Sequence, residues 1–276
     1  MKNILKTIWN VLKYMLIHVG LQIIYFIPVS FIVGIRLGIQ GVENFEDQYA
    51  EAIAKHIPIS LIFAGVGALL IYRWMLNRKG ISFSKACRFN KLSLDKIVVS
   101  LMAGMSCLYV SAAIISFFSE SKVDSHVENM ASLEQGGMLL FFITVGIMAP
   151  IIEEVIFRGL IFDELRGKVG MFAVIIIQAF LFGLYHLNIV QGTYAFVLGI
   201  FLGLSLLWTG SIWAPILIHA GNNILSVGVT ILPFGHYFEH GAVMLFALFI
   251  VFPFSVWYLY KNRVGTVKFE EESLRG

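Results

Sequence analysis

The chain is poor in charged residues. Asp, Glu, Lys and Arg make up 13% of its 276 residues, whereas 58% are hydrophobic. A soluble domain usually carries about 25% charged residues, so this composition excludes an ordinary soluble protein and predicts a polytopic membrane protein. The net charge of +3 is too small to indicate a nucleic-acid partner. The expected surroundings are a lipid bilayer.

Cysteine is also scarce. Cys87 and Cys107 are the two cysteines, one in a basic loop and one in an apolar segment. They cannot form a disulfide framework or a cysteine zinc site. A cleavable leader is not indicated either, because the first apolar run, residues 14–35, exceeds a signal core and no small-residue cleavage site follows it. We therefore expect a retained first span.

Apolar segments of membrane-spanning length recur along the chain. Eight can be marked, near residues 14–35, 57–76, 97–118, 138–160, 170–187, 193–209, 212–233 and 241–260. They predict an all-α membrane protein of about eight transmembrane helices that enclose a buried polar cavity. We expect one membrane domain, 1–276, with three parts. Residues 1–136 hold three spans without motifs, 137–226 the catalytic core helices, and 227–276 the last span and a cytoplasmic tail.

The segments between the spans differ in charge. Residues 73–96 carry seven basic side chains and one acid, whereas residues 36–56 and 119–136 are acidic. Cytoplasmic loops of membrane proteins are enriched in Lys and Arg, so this asymmetry predicts that both termini are cytoplasmic. The expected location is the plasma membrane, crossed several times.

Three other residue pairs in or near the apolar segments are not expected to take part in chemistry. His18 and Gln22 share one helix face and are predicted to bond to a neighbouring helix. Gly199 and Gly203 are four residues apart, which predicts close helix packing. His236 and His240 have a metal-like spacing, with Glu239 beside them. They follow Pro233 in a short loop where helix is not expected, so we do not predict a metal site there.

Two adjacent glutamates lie in the fourth apolar segment. Glu153 and Glu154 are followed four residues later by Arg158. A charge near the centre of a bilayer costs at least ~2.5 kcal/mol, so intramembrane ionisable groups indicate function. Neighbouring helical residues are rotated by about 100°, so one carboxylate can pair with Arg158 while the other points elsewhere.

Later apolar segments add two histidines and an asparagine. His186 ends the fifth segment, and His219 and Asn223 share one helix face in the seventh. Their estimated distances from the cytoplasmic face of the membrane allow these groups to meet Glu153 in one cavity. A carboxylate and an imidazole can take a proton from an attacking water, and an imidazole and an amide can hold the resulting oxyanion. These are the parts that amide hydrolysis needs, without a nucleophilic serine or cysteine.

The motifs resemble those of a known family. They are similar to those of the CAAX-prenyl-protease and bacteriocin-processing family, the membrane proteases related to the Ras-converting enzyme, over residues 138–226. The matching residues are Glu153, Glu154 and Arg158, then Phe182 and His186, then His219 and Asn223. The resemblance implies an intramembrane endopeptidase whose site opens towards the cytosol.

The resemblance also implies roles. Glu153 and His186 would activate the water, His219 and Asn223 would hold the oxyanion, and Glu154 and Arg158, with Phe182, would support the site. Glu153, His186 and His219 also form a two-histidine, one-carboxylate set of the kind that binds catalytic zinc. The His-Glu-x-x-His signature of soluble zinc proteases is absent. We expect no metal and no other cofactor.

Composition also bears on the substrate. A short, Lys-rich, cysteine-poor chain is typical of a bacterial protein, in which prenylated substrates are not expected. We expect a peptide or membrane-protein substrate, such as a pheromone or a bacteriocin leader, or a role in bacteriocin self-immunity. The alternatives are a non-catalytic membrane scaffold of the same fold and a proton-coupled transporter. No internal repeat of the kind common in transporters is visible.

Overall fold

The protein is helical over the residues that the structure describes. The computed structural model describes residues 2–231, 238 and 240–264, and these contain no β-strand beyond one isolated bridge between Arg166 and Val169. The helices are α1 (Lys2–Gln40), α2 (Phe45–Ala54), α3 (Ile57–Asn77), α4 (Phe83–Ala86), α5 (Leu94–Ile115), α6 (Glu120–Glu134), α7 (Met138–Leu165), α8 (Met171–Tyr185), α9 (Ile189–Thr209), α10 (Trp213–Ile231) and α11 (Gly241–Lys261).

Six of the described helices are long and apolar enough to cross a membrane, namely α1, α3, α5, α7, α9 and α11. The helix α8 is apolar but has only 15 residues, and α10 has 19. These two shorter helices lie in the second half of the chain, which carries the motifs. The predicted class, a polytopic all-α membrane protein, is confirmed. His236, Glu239 and the tail from residue 265 lie outside the described residues.

Both acidic segments between the predicted spans are largely helical. Residues 45–54 form α2 within the acidic segment 36–56, and residues 120–134 form α6 within the acidic segment 119–136. The search for long apolar runs did not detect these two helices. In α6, Val123, His126 and Met130 recur at helical spacing and face inward, while Glu120, Asp124 and Glu128 remain exposed.

The helix α10 packs along α5 at very short range. A Cβ atom added at Gly104 of α5 would lie 2.0 Å from the carbonyl oxygen of Ile218 in α10. No side chain fits in that space, so glycine allows the two backbones to touch. Ile218 directly precedes His219. The crossing therefore fixes the height and rotation of His219 in the bundle.

Other predicted contacts are present. His18 of α1 bonds through Nδ1 to the hydroxyl of Tyr185 in α8, which confirms the predicted link to a neighbouring helix for His18. The amide nitrogen of Gln22 instead lies 3.4 Å from Nδ1 of His18 in the same helix. A Cβ atom added at Gly203 would lie 2.7 Å from the amide nitrogen of Gln178, so the predicted close packing at this glycine is also confirmed. These contacts join α1 and α9 to α8, beside the central helix α7.

Candidate active site

Glu153 faces a cavity together with both motif histidines. Its Oε2 lies 4.0 Å from Nε2 of His186 and 3.8 Å from Nε2 of His219. These distances exceed a direct hydrogen bond, but one water molecule spans such a gap. The three side chains come from α7, α8 and α10. The structure therefore brings together the three groups that the sequence placed on separate spans.

The end of α8 fixes the ring of His186. The last carbonyls of a helix have no partner within the helix, and the ring Nδ1 of His186 satisfies one of them by donating to the carbonyl of Phe182 at 2.8 Å. Leu187 then takes a left-handed conformation with φ of 53°, and Asn188 caps the start of α9. Since Nδ1 carries the hydrogen, Nε2 presents a lone pair towards Glu153.

Glu154 points away from Glu153 and is fully buried. Its Oε1 accepts hydrogen bonds from Nη1 of Arg158 at 3.0 Å and from Nδ1 of His219 at 2.8 Å. Both Glu154 and Arg158 have no exposed surface. The two adjacent glutamates thus occupy different environments, as their rotation on the helix predicts. Glu154 holds His219, and Glu153 remains available to a ligand in the cavity.

The guanidinium of Arg158 is enclosed by α8 and α9. Its Nη2 donates to the carbonyl of Gly199 at 3.2 Å, and its Cζ lies 4.4 Å from the ring centre of Phe182. The amide of Gln178 donates to the same carbonyl at 2.9 Å. Gly199 has no side chain that would occupy the position of the guanidinium. A buried charge needs such partners, because desolvation otherwise costs several kcal/mol.

Phe182 lies between the two histidines. Its ring centre is 4.9 Å from that of His186 and 5.6 Å from that of His219, and both pairs are edge-to-face. Edge-to-face aromatic contacts have a preferred geometry, so Phe182 restricts the tilt of both imidazoles. The residue supports the site through its ring as well as through its backbone carbonyl.

Asn223 lines the same cavity, but its amide is engaged. Its Nδ2 donates to the carbonyl of Val145 at 2.9 Å. Residues 142–148 of α7 are π-helical, where each carbonyl accepts from the residue five positions later. For Val145 that residue is Pro150, which has no N–H. The proline therefore frees a carbonyl that positions Asn223, whose second amide hydrogen is left for a ligand.

The cavity that contains these groups has a volume of about 720 Å³. This lies in the range of ligand-binding pockets, roughly 300–1,000 Å³. His126 of α6 and Tyr194 of α9 also line it, with ring centres 5.8 Å apart. The sequence interpretation missed both residues. The signal for His126 was the helical spacing of apolar residues in α6, whereas nothing in the sequence distinguishes Tyr194.

The side chains around the cavity bear on metal binding. Among the described residues, no three His, Cys, Asp or Glu side chains are grouped to hold a metal ion. Both histidines use Nδ1 for protein acceptors and direct Nε2 into the cavity. The expected absence of a cofactor remains a prediction.

Comparisons with known proteins agree with the motifs. Residues 135–225 match the family model described as type II CAAX prenyl endopeptidase Rce1-like. The matched region contains all seven residues singled out from the sequence, and the predicted resemblance to the CAAX protease family is confirmed.

A curated relative supports the same class. The Bacillus subtilis (strain 168) protein named "Putative membrane peptidase YdiL" is 29% identical over 106 residues. The match covers 38% of this chain and 43% of that protein, so it spans less than half of the relative's length. No solved structure shows significant similarity to the chain. The descriptions of the family model and of this relative both name membrane-associated or CAAX-type peptidases.

Proposed function

We propose that the protein is an intramembrane endopeptidase that hydrolyses a peptide bond with water activated by Glu153 and His186. One observation carries the proposal. The Oε2 atom of Glu153 lies 4.0 Å from Nε2 of His186 and 3.8 Å from Nε2 of His219, at one end of a cavity. The structure holds both histidine rings through Nδ1, which leaves the two Nε2 atoms and the Glu153 carboxylate facing the cavity.

The groups present account for every proton in the attack of water on the peptide bond. A water between Glu153 and His186 donates one hydrogen bond to the carboxylate and one to the lone pair on Nε2. As its oxygen attacks the substrate carbonyl, one proton passes to these acceptors and the carbonyl oxygen becomes an oxyanion. The same proton then goes to the leaving amine as the C–N bond breaks. Neither a protein nucleophile nor a covalent intermediate is required.

His219 and Asn223 stabilise the oxyanion in this proposal. Since Oε1 of Glu154 also accepts from Arg158, it behaves as a carboxylate and Nδ1 of His219 must carry a hydrogen. In this proposal both ring nitrogens of His219 carry a hydrogen, and Nε2 donates to the oxyanion. The free amide hydrogen of Asn223 is the second donor.

The proposed setting follows from charge and composition. The protein crosses the plasma membrane of a bacterium with both termini in the cytoplasm, as the basic segment 73–96 favours. Its partners are the lipid bilayer and a peptide or membrane-protein substrate, such as a pheromone, a bacteriocin leader or a protein involved in self-immunity. No nucleic acid and no cofactor take part.

Peptide profiling tests the proposal. Secreted and membrane-bound peptides are compared by mass spectrometry between cells that express the wild type and cells that express Glu153→Gln, with and without a chelator. The control is Glu43→Gln, which removes an exposed carboxylate far from the cavity along the chain. We expect products that require Glu153, persist in the control and resist the chelator. Identical peptide sets would reject catalysis and favour the scaffold alternative.

A further inference from the structure

The cavity around Glu153 lies towards one end of the helical bundle. Adjacent spans run in opposite directions, so the start of α3, the end of α5 and the start of α9 are on the same side. Lining residues come from these three places, namely Ile57 and Leu61, Leu108 and Ile115, and Gln191 and Tyr194. His186 lines the cavity at the end of α8 and is on that side too. The opening is therefore at the end where α2 and α6 are found.

That end of the bundle carries the acidic segments. The helix α6 has four acids and one lysine, and the segment around α2 is acidic as well. The opposite end carries the basic segment 73–96. Because the positive-inside rule places Lys- and Arg-rich segments in the cytoplasm, the mouth of the cavity is on the extracytoplasmic side.

The basic end of the bundle is held together by hydrogen bonds. A separate pocket of about 920 Å³ at this end is lined by neither Glu153 nor the two motif histidines. The segment between α3 and α5 is tied to the end of α7, since Nη2 of Arg88 lies 2.9 Å from Oδ1 of Asp163. It is also tied to the turn between α9 and α10, where the amide of Asn90 donates to Gly210 and the hydroxyl of Ser211 donates to Asn90. None of these residues lines the cavity.

Buried side chains lie between the basic end and the site. Phe157, Arg158 and Phe162 have no exposed surface. They lie on the part of α7 that follows Glu153 and runs towards the basic end. A peptide that came from that end would have to displace them and the Arg158–Glu154 ion pair. We therefore exclude that end as the route of entry.

The helix α6 lies across the open end. Its inward side chains His126, Asn129 and Met130 line the cavity, and His126 packs edge-to-face against Tyr194. Asn129 is exposed as well. A substrate that enters from this side passes α6 before it reaches Glu153.

We propose that the substrate is an extended peptide segment exposed on the extracytoplasmic side, which enters past α6. This inference rests on the proposed endopeptidase function. It differs from the family resemblance, which implies a site that opens towards the cytosol. The consequence is that the scissile bond must already be outside the cytoplasm. A cytosolic peptide that never crosses the membrane is not a substrate.

Cysteine labelling tests the side of the opening without any need for catalysis. The native thiols are protected, because Cys87 and Cys107 are buried, and burial raises the pKa of Cys87 to about 12. The probes are Asn129→Cys at the mouth and Lys91→Cys on the basic segment, both at exposed positions. In intact cells a membrane-impermeant maleimide should label Asn129→Cys and should label Lys91→Cys only after the membrane is opened. The reverse pattern would overturn the inference.

A second measurement connects the opening to the substrate. In cells that express Asn129→Cys, a bulky impermeant maleimide should lower formation of the Glu153-dependent products about tenfold or more, because the adduct occupies the mouth. In cells that express Lys91→Cys the same treatment should leave product formation unchanged. Unchanged cleavage by fully labelled Asn129→Cys would overturn the entry route. If the wild type gives no products at all, the proposed function fails, whereas the labelling pattern still decides the side of the opening.

Discussion

Glu154 of α7 accepts a hydrogen bond at 2.8 Å from Nδ1 of His219 of α10. The same carboxylate oxygen accepts from Arg158. Glu154 therefore orients a histidine and neutralises an arginine, while the preceding residue, Glu153, faces the cavity. This separation of two neighbouring carboxylates gives different expectations for substitutions at positions 153 and 154.

Glu154→Ala should destabilise the fold. It leaves Arg158 buried without its carboxylate, and breaking a buried ion pair on one side costs on the order of 3 kcal/mol. Thermal unfolding of the purified protein in detergent measures the loss. The matched control is Glu51→Ala, which breaks an exposed Glu–Lys pair with the same four-residue spacing and should leave unfolding unchanged. Equal effects of the two variants would show that the buried pair has no structural role.

Gly104→Ala should disturb the position of His219. The added Cβ would lie 2.0 Å from the backbone oxygen of Ile218, so α5 and α10 must move apart. We expect lower thermal stability and loss of cleavage. Gly20→Ala in α1 is the control, because an added Cβ meets nothing within 4 Å there. It should retain both properties, and a fully active Gly104→Ala variant would contradict the role of this crossing.

Asn223→Ala should lower the rate of cleavage. If its free amide hydrogen holds the oxyanion, removal costs about 10²–10³ in kcat with little change in KM. The measurement is the steady-state rate of cleavage of a peptide substrate that the peptide profiling has identified. A change in KM alone would instead assign Asn223 to substrate binding.

Pro150→Ala should affect the same residue indirectly. The new N–H at position 150 can bond to the carbonyl of Val145 within α7, so this carbonyl no longer holds Asn223. We expect reduced kcat in a protein that remains folded. Unchanged kcat would show that the Val145 contact does not position Asn223.

The stability of the protein should depend on pH through His126. Burial lowers the pKa of His126, and the nearby His186 lowers it further. The folded state therefore resists a proton that the unfolded chain binds below about pH 6.5, so stability falls as the pH falls through that range. Melting temperatures between about pH 7.5 and 5 should fall less steeply for His126→Gln than for the wild type. Identical slopes would contradict the assignment.

Much of the site could be predicted from the sequence because membrane helices restrict the possibilities. Charged groups in apolar spans are costly, so Glu153, Glu154 and Arg158 stood out. The four-residue spacing of Glu154 and Arg158 predicted their pairing, which the structure contains. The catalytic roles of Glu153 and the histidines remain predictions.

Other features could not be predicted. The helix α6 has no long apolar run, so only the spacing of a few residues indicates its inward face, and His126 was missed. The contact between Asn223 and Val145 depends on the π-helical register of α7 around Pro150, which no local pattern indicates. The bond between Glu154 and His219 depends on how α7 and α10 pack, and the sequence does not specify that distance.

The most direct test of Glu153 as the group that activates water is cleavage by purified, metal-depleted protein. Wild type and Glu153→Gln are reconstituted in lipid, incubated with a peptide library and analysed by mass spectrometry for new termini. Wild type should cleave without added metal, and Glu153→Gln should be folded but inactive. Cleavage by Glu153→Gln at the wild-type rate would contradict the account.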